Sequence, residues 1–231
     1  MTTPTQNPPL RLVYDALLQA WGPQHWWPAR SRLEMMIGAI LTQNTAWTNV
    51  EKALANLRRA KALSVRVLHE TPPGLLAEWI RPAGYFNVKA ARIHHFIGWL
   101  IERHGGDIDR MFHGDVHEVR AALLAVHGIG KETADSMLLY AGRRPVFVVD
   151  TYTRRFLIRH GWIDPKASYD DIAALFVRRL AADPDEAVPL YNEYHALIVA
   201  LAKRHCRTRA DCVTCPLKRW LPEIGHGRMA R

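Results

Sequence analysis

Hydrophobic residues recur at helical spacing along almost the whole chain. Leu33, Met36, Ile37, Ile40 and Leu41 form one set, Ile93, Phe96, Ile97, Leu100 and Ile101 a second, and Leu190, Tyr194, Leu197, Ile198 and Leu201 a third. Shorter matches lie at Leu10, Val13, Leu17 and Trp21, at Val119, Ala122, Leu123 and Val126, and at Ile172, Leu175, Phe176 and Leu180. Steps of three, four and seven put each set on one helical face, with polar residues between them. The one strand-like run, Val146 to Val149, is too short and solitary to build a sheet and reads as a buried extended connection. Breaks at Gly22-Pro23, Pro72-Pro73-Gly74, Arg81-Pro82, Gly105-Gly106, Gly142 with Pro145, Pro165 and Pro184 cut the pattern into roughly ten helices. No segment repeats at the spacing of a solenoid. The expected fold class is all-α.

Composition narrows the function classes. Of 231 residues, 48% are apolar and 23% charged, the balance of a folded globular protein. Lys and Arg number 31 against 22 Asp and Glu, a net charge of +9 that attracts polyanions, so nucleic acid is the first partner to consider. From Leu201 to Arg231 eight basic residues face two acids, which concentrates +6 of that charge in the tail. The tail reads equally as a solvated terminus and as a phosphate-contacting surface. Neither a signal peptide nor a run of about 20 apolar residues is present, so the expectation is a cytoplasmic protein without a membrane partner. Cys206, Cys212 and Cys215 are the only cysteines and span ten positions. An odd, clustered set argues against a disulfide framework and for metal or cluster chemistry.

The most informative stretch is Leu123 to Ala134, where an apolar helix runs into His127-Gly128-Ile129-Gly130 and a second helix begins at Lys131. Two glycines allow a tight turn and a close approach to phosphate, with free N–H groups of the second helix pointing at the anion. Glycine also serves simply to turn a helical hairpin, and the motif alone does not choose between these uses.

The context chooses. HGIGKETADSMLLYAGRRPVFVVDTYTRRF resembles the helix-hairpin-helix segment and following aspartate of the endonuclease III (HhH-GPD) superfamily of DNA glycosylases. Leu41-Thr42-Gln43-Asn44-Thr45 is similar to that family's Leu/Gln/Thr motif, Ile80 to Ala90 to its Gly-Tyr/Phe-x-x-Lys-Ala motif, and the cysteine tail to its cluster loop. Trp26-Trp27-Pro28, LTQNT and GIGKETAD look most like the 3-methyladenine DNA glycosylase III branch. The resemblance implies a bilobal all-α fold with an active-site cleft between the lobes. Residues 29–144 would form a six-helix lobe carrying the hairpin at about 119–141, and residues 1–28 with 145–231 the second lobe. It implies a monomer acting on double-stranded DNA that contains a damaged base.

Site residues follow from the same resemblance. Asp150, eighteen residues after Glu132, matches the family's essential aspartate. A carboxylate there stabilises the positive charge that develops on the sugar as the N-glycosidic bond breaks, and orients or deprotonates the attacking water. On sequence alone Asp150 also reads as an N-cap, and the two roles are compatible. Bifunctional members carry a lysine nucleophile where this chain has Glu132. The neighbouring Lys131 is turned about 100° away on a helix, so no lyase activity is expected. Glu132 itself reads equally as a first-turn acid favourable to the helix dipole and as an anionic wall of the base pocket. Trp26, Trp27, Pro28 and Trp47 are the expected aromatic and rigid walls for a flipped purine, since adjacent indoles cannot both face one helical core. A methylated, cationic purine would gain a cation–π contribution from them.

Gln43 matches the glutamine that family members insert into the gap left by the flipped nucleotide, and Gly128, Gly130, Lys131 and Thr133 are the hairpin's DNA contacts. Thr45, Lys52, Arg58, Arg59, Lys89 and Arg92 are further candidates for phosphate contact, each of which alone reads as solvated surface.

Cys206-x5-Cys212-x2-Cys215 resembles the loop that holds a [4Fe–4S] cluster, but Leu221 stands where the family has its fourth cysteine. An intact cluster then needs a substitute such as His226 or His205, or an open iron site. Three cysteines and a histidine also suit zinc, and a loop held by packing without metal is the third reading. The expected activity is that of a monofunctional glycosylase releasing alkylated purines, 3-methyladenine foremost, to leave an abasic site. The alternatives are a glycosylase for deaminated, oxidised or mismatched bases, selected by hydrogen bonding rather than charge, and a non-catalytic helix-hairpin-helix DNA-binding protein.

Overall fold

The computed structural model describes residues 8–26, 29–180 and 182–222. Among them every regular element is helical: α1 (Leu10–Trp21), α2 (Arg32–Thr42), α3 (Trp47–Arg59), α4 (Val65–Glu70), α5 (Pro73–Trp79), α6 (Phe86–His104), α7 (Ile108–Met111), α8 (Val116–Leu124), α9 (Lys131–Ser136), α10 (Thr151–Arg159), α11 (Tyr169–Leu180) and α12 (Pro184–Arg204). Residues 143–150 form the extended connection, with Phe147, Val148 and Val149 buried. The chain separates into two compact units, Trp27–Val146 and Met1–Trp26 with Phe147–Arg231.

The unit formed by Trp27–Val146 is built around α2. The predicted stripe of Leu33, Met36, Ile37, Ile40 and Leu41 is buried, and so are Gly38 and Ala39, so this helix is enclosed on nearly every side. Its start is capped by the Ser31 side chain, which accepts from Glu34 N, and Glu34 Oε1 accepts in turn from Arg30 N at 3.3 Å, one residue before the cap. Glu34 is also buried and receives a forked bond from Arg58, Nε at 3.0 Å and Nη2 at 2.6 Å. Burial raises the Glu34 pKa, but the Arg58 bond and charge and the Arg30 amide outweigh it and leave the carboxyl below its usual range. Helix α6 contributes Ile93, Phe96, Ile97 and Leu100 to the same core. The unit contains eight α-helices among the described residues, where the resemblance implies six; α4 and α7 are the short segments of six and four residues.

Two of the suggested phosphate contacts are internal. Lys89 is 1% exposed, and its ammonium donates to Leu41 O at 2.8 Å, Ala83 O at 2.7 Å and Thr45 Oγ1 at 2.6 Å. It fastens the end of α2 to the 3₁₀ turn Arg81–Ala83. Arg58 is occupied by Glu34. Both side chains answer buried acceptors, which a reading of charge along the sequence assigns to solvent.

In the other unit, α1 packs Leu10, Val13 and Leu17 inward, and the Tyr194 hydroxyl of α12 donates to Leu10 O at 2.8 Å. Phe147 stacks on Phe176 at a centroid distance of 3.8 Å, with Tyr191 and Tyr194 edge-on to it. The division of the chain falls between Val146, which packs on the core of the first unit, and Phe147, which belongs to this aromatic cluster. That is two residues beyond the expected boundary, because the apolar run is shared between two cores.

Candidate active site

Asp150 is the N-cap of α10. Its Oδ1 accepts from Thr153 N at 2.7 Å and from Thr153 Oγ1 at 2.8 Å, which satisfies one donor of the first helical turn. Its Oδ2 stands 3.5 Å from His195 Nε2 on α12. The Asp150 side chain keeps 11% of its surface open. Burial raises its pKa; the hydrogen bond and charge of His195, with the two bonds from Thr153, overcome that and leave the carboxyl below its usual range. The result is a shielded carboxylate that stays ionised at neutral pH. The Trp26 ring meets His195 edge-on, at a centroid distance of 6.2 Å and 89° between planes. Cap, carboxylate, imidazole and indole thus come together within the unit that contains α1 and α10–α12.

The hairpin residues gather in the unit of Trp27–Val146. Gly128 has φ of +90°, and a Cβ built there would lie 2.4 Å from Arg92 Cγ, so this position requires glycine on both counts. Gly130 is extended, with φ of −93° and ψ of 176°, and nothing within 4 Å would meet its Cβ. Gly130 caps α9 without any side-chain bond, so its backbone demands no glycine. Gln43 ends α2 and reaches the hairpin: its Nε2 donates to Gly128 O at 3.1 Å and Thr133 Oγ1 at 2.9 Å, while Arg92 donates to its Oε1. The Leu/Gln/Thr motif and the helix-hairpin-helix are therefore one hydrogen-bonded assembly. Thr133 is buried, Lys131 and Glu132 are exposed in the first turn of α9, and Trp47 opens α3, partly buried against the core. Trp27 and Pro28 lie outside the described residues, as does His226.

Two features of these units escaped the sequence. His195 sits inside the apolar stripe of α12, where a lone histidine is most often a core residue, and only the fold brings it to Asp150. Asp135 is 2% exposed and receives a forked bond from Arg120, Nε to Oδ1 at 2.6 Å and Nη2 to Oδ2 at 3.0 Å, which clamps α8 to α9 across the turn. The spacing of fifteen residues gave no signal for it.

The three cysteines line a cavity of about 580 Å³ with Arg155, Arg159 and His160 of α10 and its C-terminal turn. Arg159 donates to Cys206 Sγ at 3.2 Å, Arg207 O at 2.6 Å and Thr208 O at 2.8 Å, and Arg155 to Cys206 O at 2.8 Å. The helix capped by Asp150 thus carries the cysteine loop at its other end. Burial, with Cys206 nearby, pushes the Cys212 and Cys215 thiols above their ordinary pKa. Among the described residues no three His, Cys, Asp or Glu side chains converge closely enough for a single ion.

Residues 37–182 match the family described as "HhH-GPD superfamily base excision DNA repair protein". A Methanocaldococcus jannaschii protein named provisionally as a DNA repair glycosylase is 45% identical over 208 residues, 89% of this chain and 92% of its own length. Endonuclease III of Sulfolobus acidocaldarius is 28% identical over 192 residues, 82% of this chain and 81% of its own. Among solved structures, the Helicobacter pylori 3-methyladenine DNA glycosylase MagIII bound to 1,N6-ethenoadenine superposes with a TM-score of 0.73 at 27% identity, covering 85% of this chain and 97% of that one. A non-covalent endonuclease III–DNA complex shares the fold at a TM-score of 0.77, with 22% identity and coverage of 93% and 94%. No helix among the described residues is long and apolar enough to cross a membrane. With the hairpin, the aspartate and these relatives in agreement, the chain belongs to the HhH-GPD superfamily of base excision DNA repair proteins.

Proposed function

We propose that this protein is a monofunctional DNA N-glycosylase that extrudes an alkylated purine, 3-methyladenine foremost, from double-stranded DNA and hydrolyses it to leave an abasic site. The observation that carries the reading is Asp150: ionised, shielded, and braced on one oxygen by Thr153 and on the other by His195. As the glycosidic bond lengthens, positive charge grows on the sugar, and a fixed carboxylate lowers the barrier without reorganising. The same carboxylate orients water or accepts its proton. N3 or N7 alkylation makes the purine a good leaving group, so one carboxylate and no strong general acid suffices. His195 holds Oδ2 in place and supports the ionised form.

An indole such as Trp26 offers a flat face that attracts a cationic base more strongly than its neutral parent. Glu132, where bifunctional relatives have lysine, leaves no amine to attack C1′, so hydrolysis ends at the abasic site. The alkylated-purine reading also draws on the Helicobacter pylori enzyme, a 3-methyladenine glycosylase bound to an etheno-adenine. Base release from methylated duplex DNA, resolved by chromatography and compared with release by Asp150→Asn, tests it. Free 3-methyladenine from the wild type, and a loss of at least a hundredfold in the variant with DNA binding kept, is the expected result.

A further inference from the structure

The side chain of Gln43 is committed within its own unit. Both Nε2 protons are spent, one on Gly128 O at 3.1 Å and one on Thr133 Oγ1 at 2.9 Å, while the guanidinium of Arg92 donates to Oε1. The partners fix which way the amide points, because a carbonyl can only accept and a guanidinium can only donate. An amide bonded in this way has no proton left for a base or a phosphate. The backbone beneath it is held separately. Gln43, at φ −52° and ψ 114°, is the first corner of a turn closed by Thr45 N on Thr42 O at 3.0 Å, with Asn44 left-handed at φ +52°, the pattern of a type II turn. Lys89 braces both flanks of that turn through Leu41 O and Thr45 Oγ1. Rotation about the side-chain bonds of Gln43 therefore frees the amide without moving the chain.

What holds the amide is a cation without a counter-charge. The stem of Arg92 lies across Gly128, so close that a Cβ there would sit 2.4 Å from Arg92 Cγ. Among the described residues neither Arg92 nor Lys89, three residues before it on the same face of α6, forms an ion pair with a carboxylate. Their hydrogen-bond partners are two carbonyls, a hydroxyl and an amide, all neutral. The two charges also act on each other: burial, and then Arg92, push the Lys89 pKa down to about 8. Adjacent cations on neutral partners attract an anion. A phosphodiester brings two charged oxygens that match the guanidinium fork, a stronger partner than one amide oxygen. We propose that Arg92 is a positioning residue for Gln43: it latches the amide onto the hairpin in the free protein, and a DNA phosphodiester that takes its guanidinium releases the amide to the duplex. The inference rests on the glycosylase reading only in taking duplex DNA as the ligand, and it is tested without any measurement of base release.

The test follows the side-chain amide resonance of Gln43 in the full chain labelled with ¹⁵N-glutamine, assigned by its loss in Gln43→Met. Spectra are recorded for the free protein and for its complex with a saturating duplex that carries a tetrahydrofuran abasic analogue, which leaves a gap and no base to release. The free wild type should show slow hydrogen exchange at this amide, and the complex a shifted resonance that has lost that protection. Arg92→Met keeps the stem over Gly128 and removes the charge. It should lose the protection without DNA, and should flatten the dependence of log affinity on log salt by about 0.9, the worth of one phosphate. Arg92→Lys should restore most of that slope. The wild-type comparison keeps the test decisive if Arg92→Met is unstable. A Gln43 amide that keeps its position and protection in the saturated complex overturns the latch, whatever base the protein releases. So does an amide as protected in Arg92→Met as in the wild type, or a salt slope that Arg92→Met leaves unchanged. A released amide in a protein that frees no base supports the latch and counts against the glycosylase reading alone, whereas a wild type that binds no duplex overturns both.

Discussion

The two hairpin glycines separate what the fold demands from what a DNA backbone demands. Gly128 has φ of +90°, where an L-residue costs about 1–2 kcal/mol, and the added methyl would sit 2.4 Å from Arg92 Cγ and 2.8 Å from Cδ. Those atoms lie near the base of the side chain, so Arg92 must swing away and release Gln43 Oε1, a charged hydrogen bond of about 1.5–3 kcal/mol. Gly128→Ala should therefore destabilise by about 3 kcal/mol, which for a chain of this size lowers Tm by about 6–12 °C. Gly130 is extended and its Cβ meets nothing, so Gly130→Ala should leave stability within about 0.5 kcal/mol. If the turn approaches a phosphate, that methyl stands between the anion and the first N–H groups of α9, and DNA affinity should fall about tenfold, the worth of one hydrogen bond to a charged group. Thermal unfolding and fluorescence anisotropy with a duplex at fixed salt measure both quantities. A Gly128→Ala protein as stable as the wild type would refute the strain argument. A Gly130→Ala protein with unchanged affinity would refute the placement of the phosphate.

Four further outcomes follow from the site. Glu132→Lys restores an amine at the lyase position and should nick DNA without alkali and form a borohydride-trapped adduct; no trapped adduct would show that this position does not face C1′. His195→Gln removes the largest influence holding the Asp150 pKa down, so the acid limb of the base-release profile should move to higher pH, and an unmoved limb would contradict the pairing. Because the folded pKa of Asp150 lies below its unfolded value, its contribution to stability is present above the ordinary carboxylate range and is lost as pH falls through the lowered value. The acid-side slope of stability against pH, from urea unfolding at stepped pH, should accordingly be shallower in Asp150→Asn. Lys89→Met removes the side-chain donor to Leu41 O, while Ala83 O keeps its bond from Thr45, and should cost about 1–3 kcal/mol in chemical denaturation.

What the sequence made legible, and what it hid, divides along physical lines. Periodicity exposed α2, α6 and α12 because each buries a stripe long enough to register, and missed α4 and α7, which are too short to show one. The all-helical class followed directly, and the extended run at 146–149 was legible because it stood alone. Asp150 as a cap was visible locally, from a carboxylate placed just before a helix. His195 was not, since its partner lies forty-five residues away and its neighbours make it look like core. Lys89 and Arg58 were assigned to the surface by their charge, whereas the fold uses them to satisfy buried carbonyls and a buried carboxylate.

The central claim is that Asp150 drives hydrolysis of a damaged purine without strand cleavage. It is tested most directly by incubating the wild type and Asp150→Asn with methylated duplex DNA, resolving the released bases and scoring nicks with and without alkali. The account predicts 3-methyladenine from the wild type, nicks only after alkali, and a variant that binds DNA, unfolds at a similar temperature and releases at least a hundredfold less base. Equal release by the two proteins, or nicking without alkali by the wild type, would contradict it.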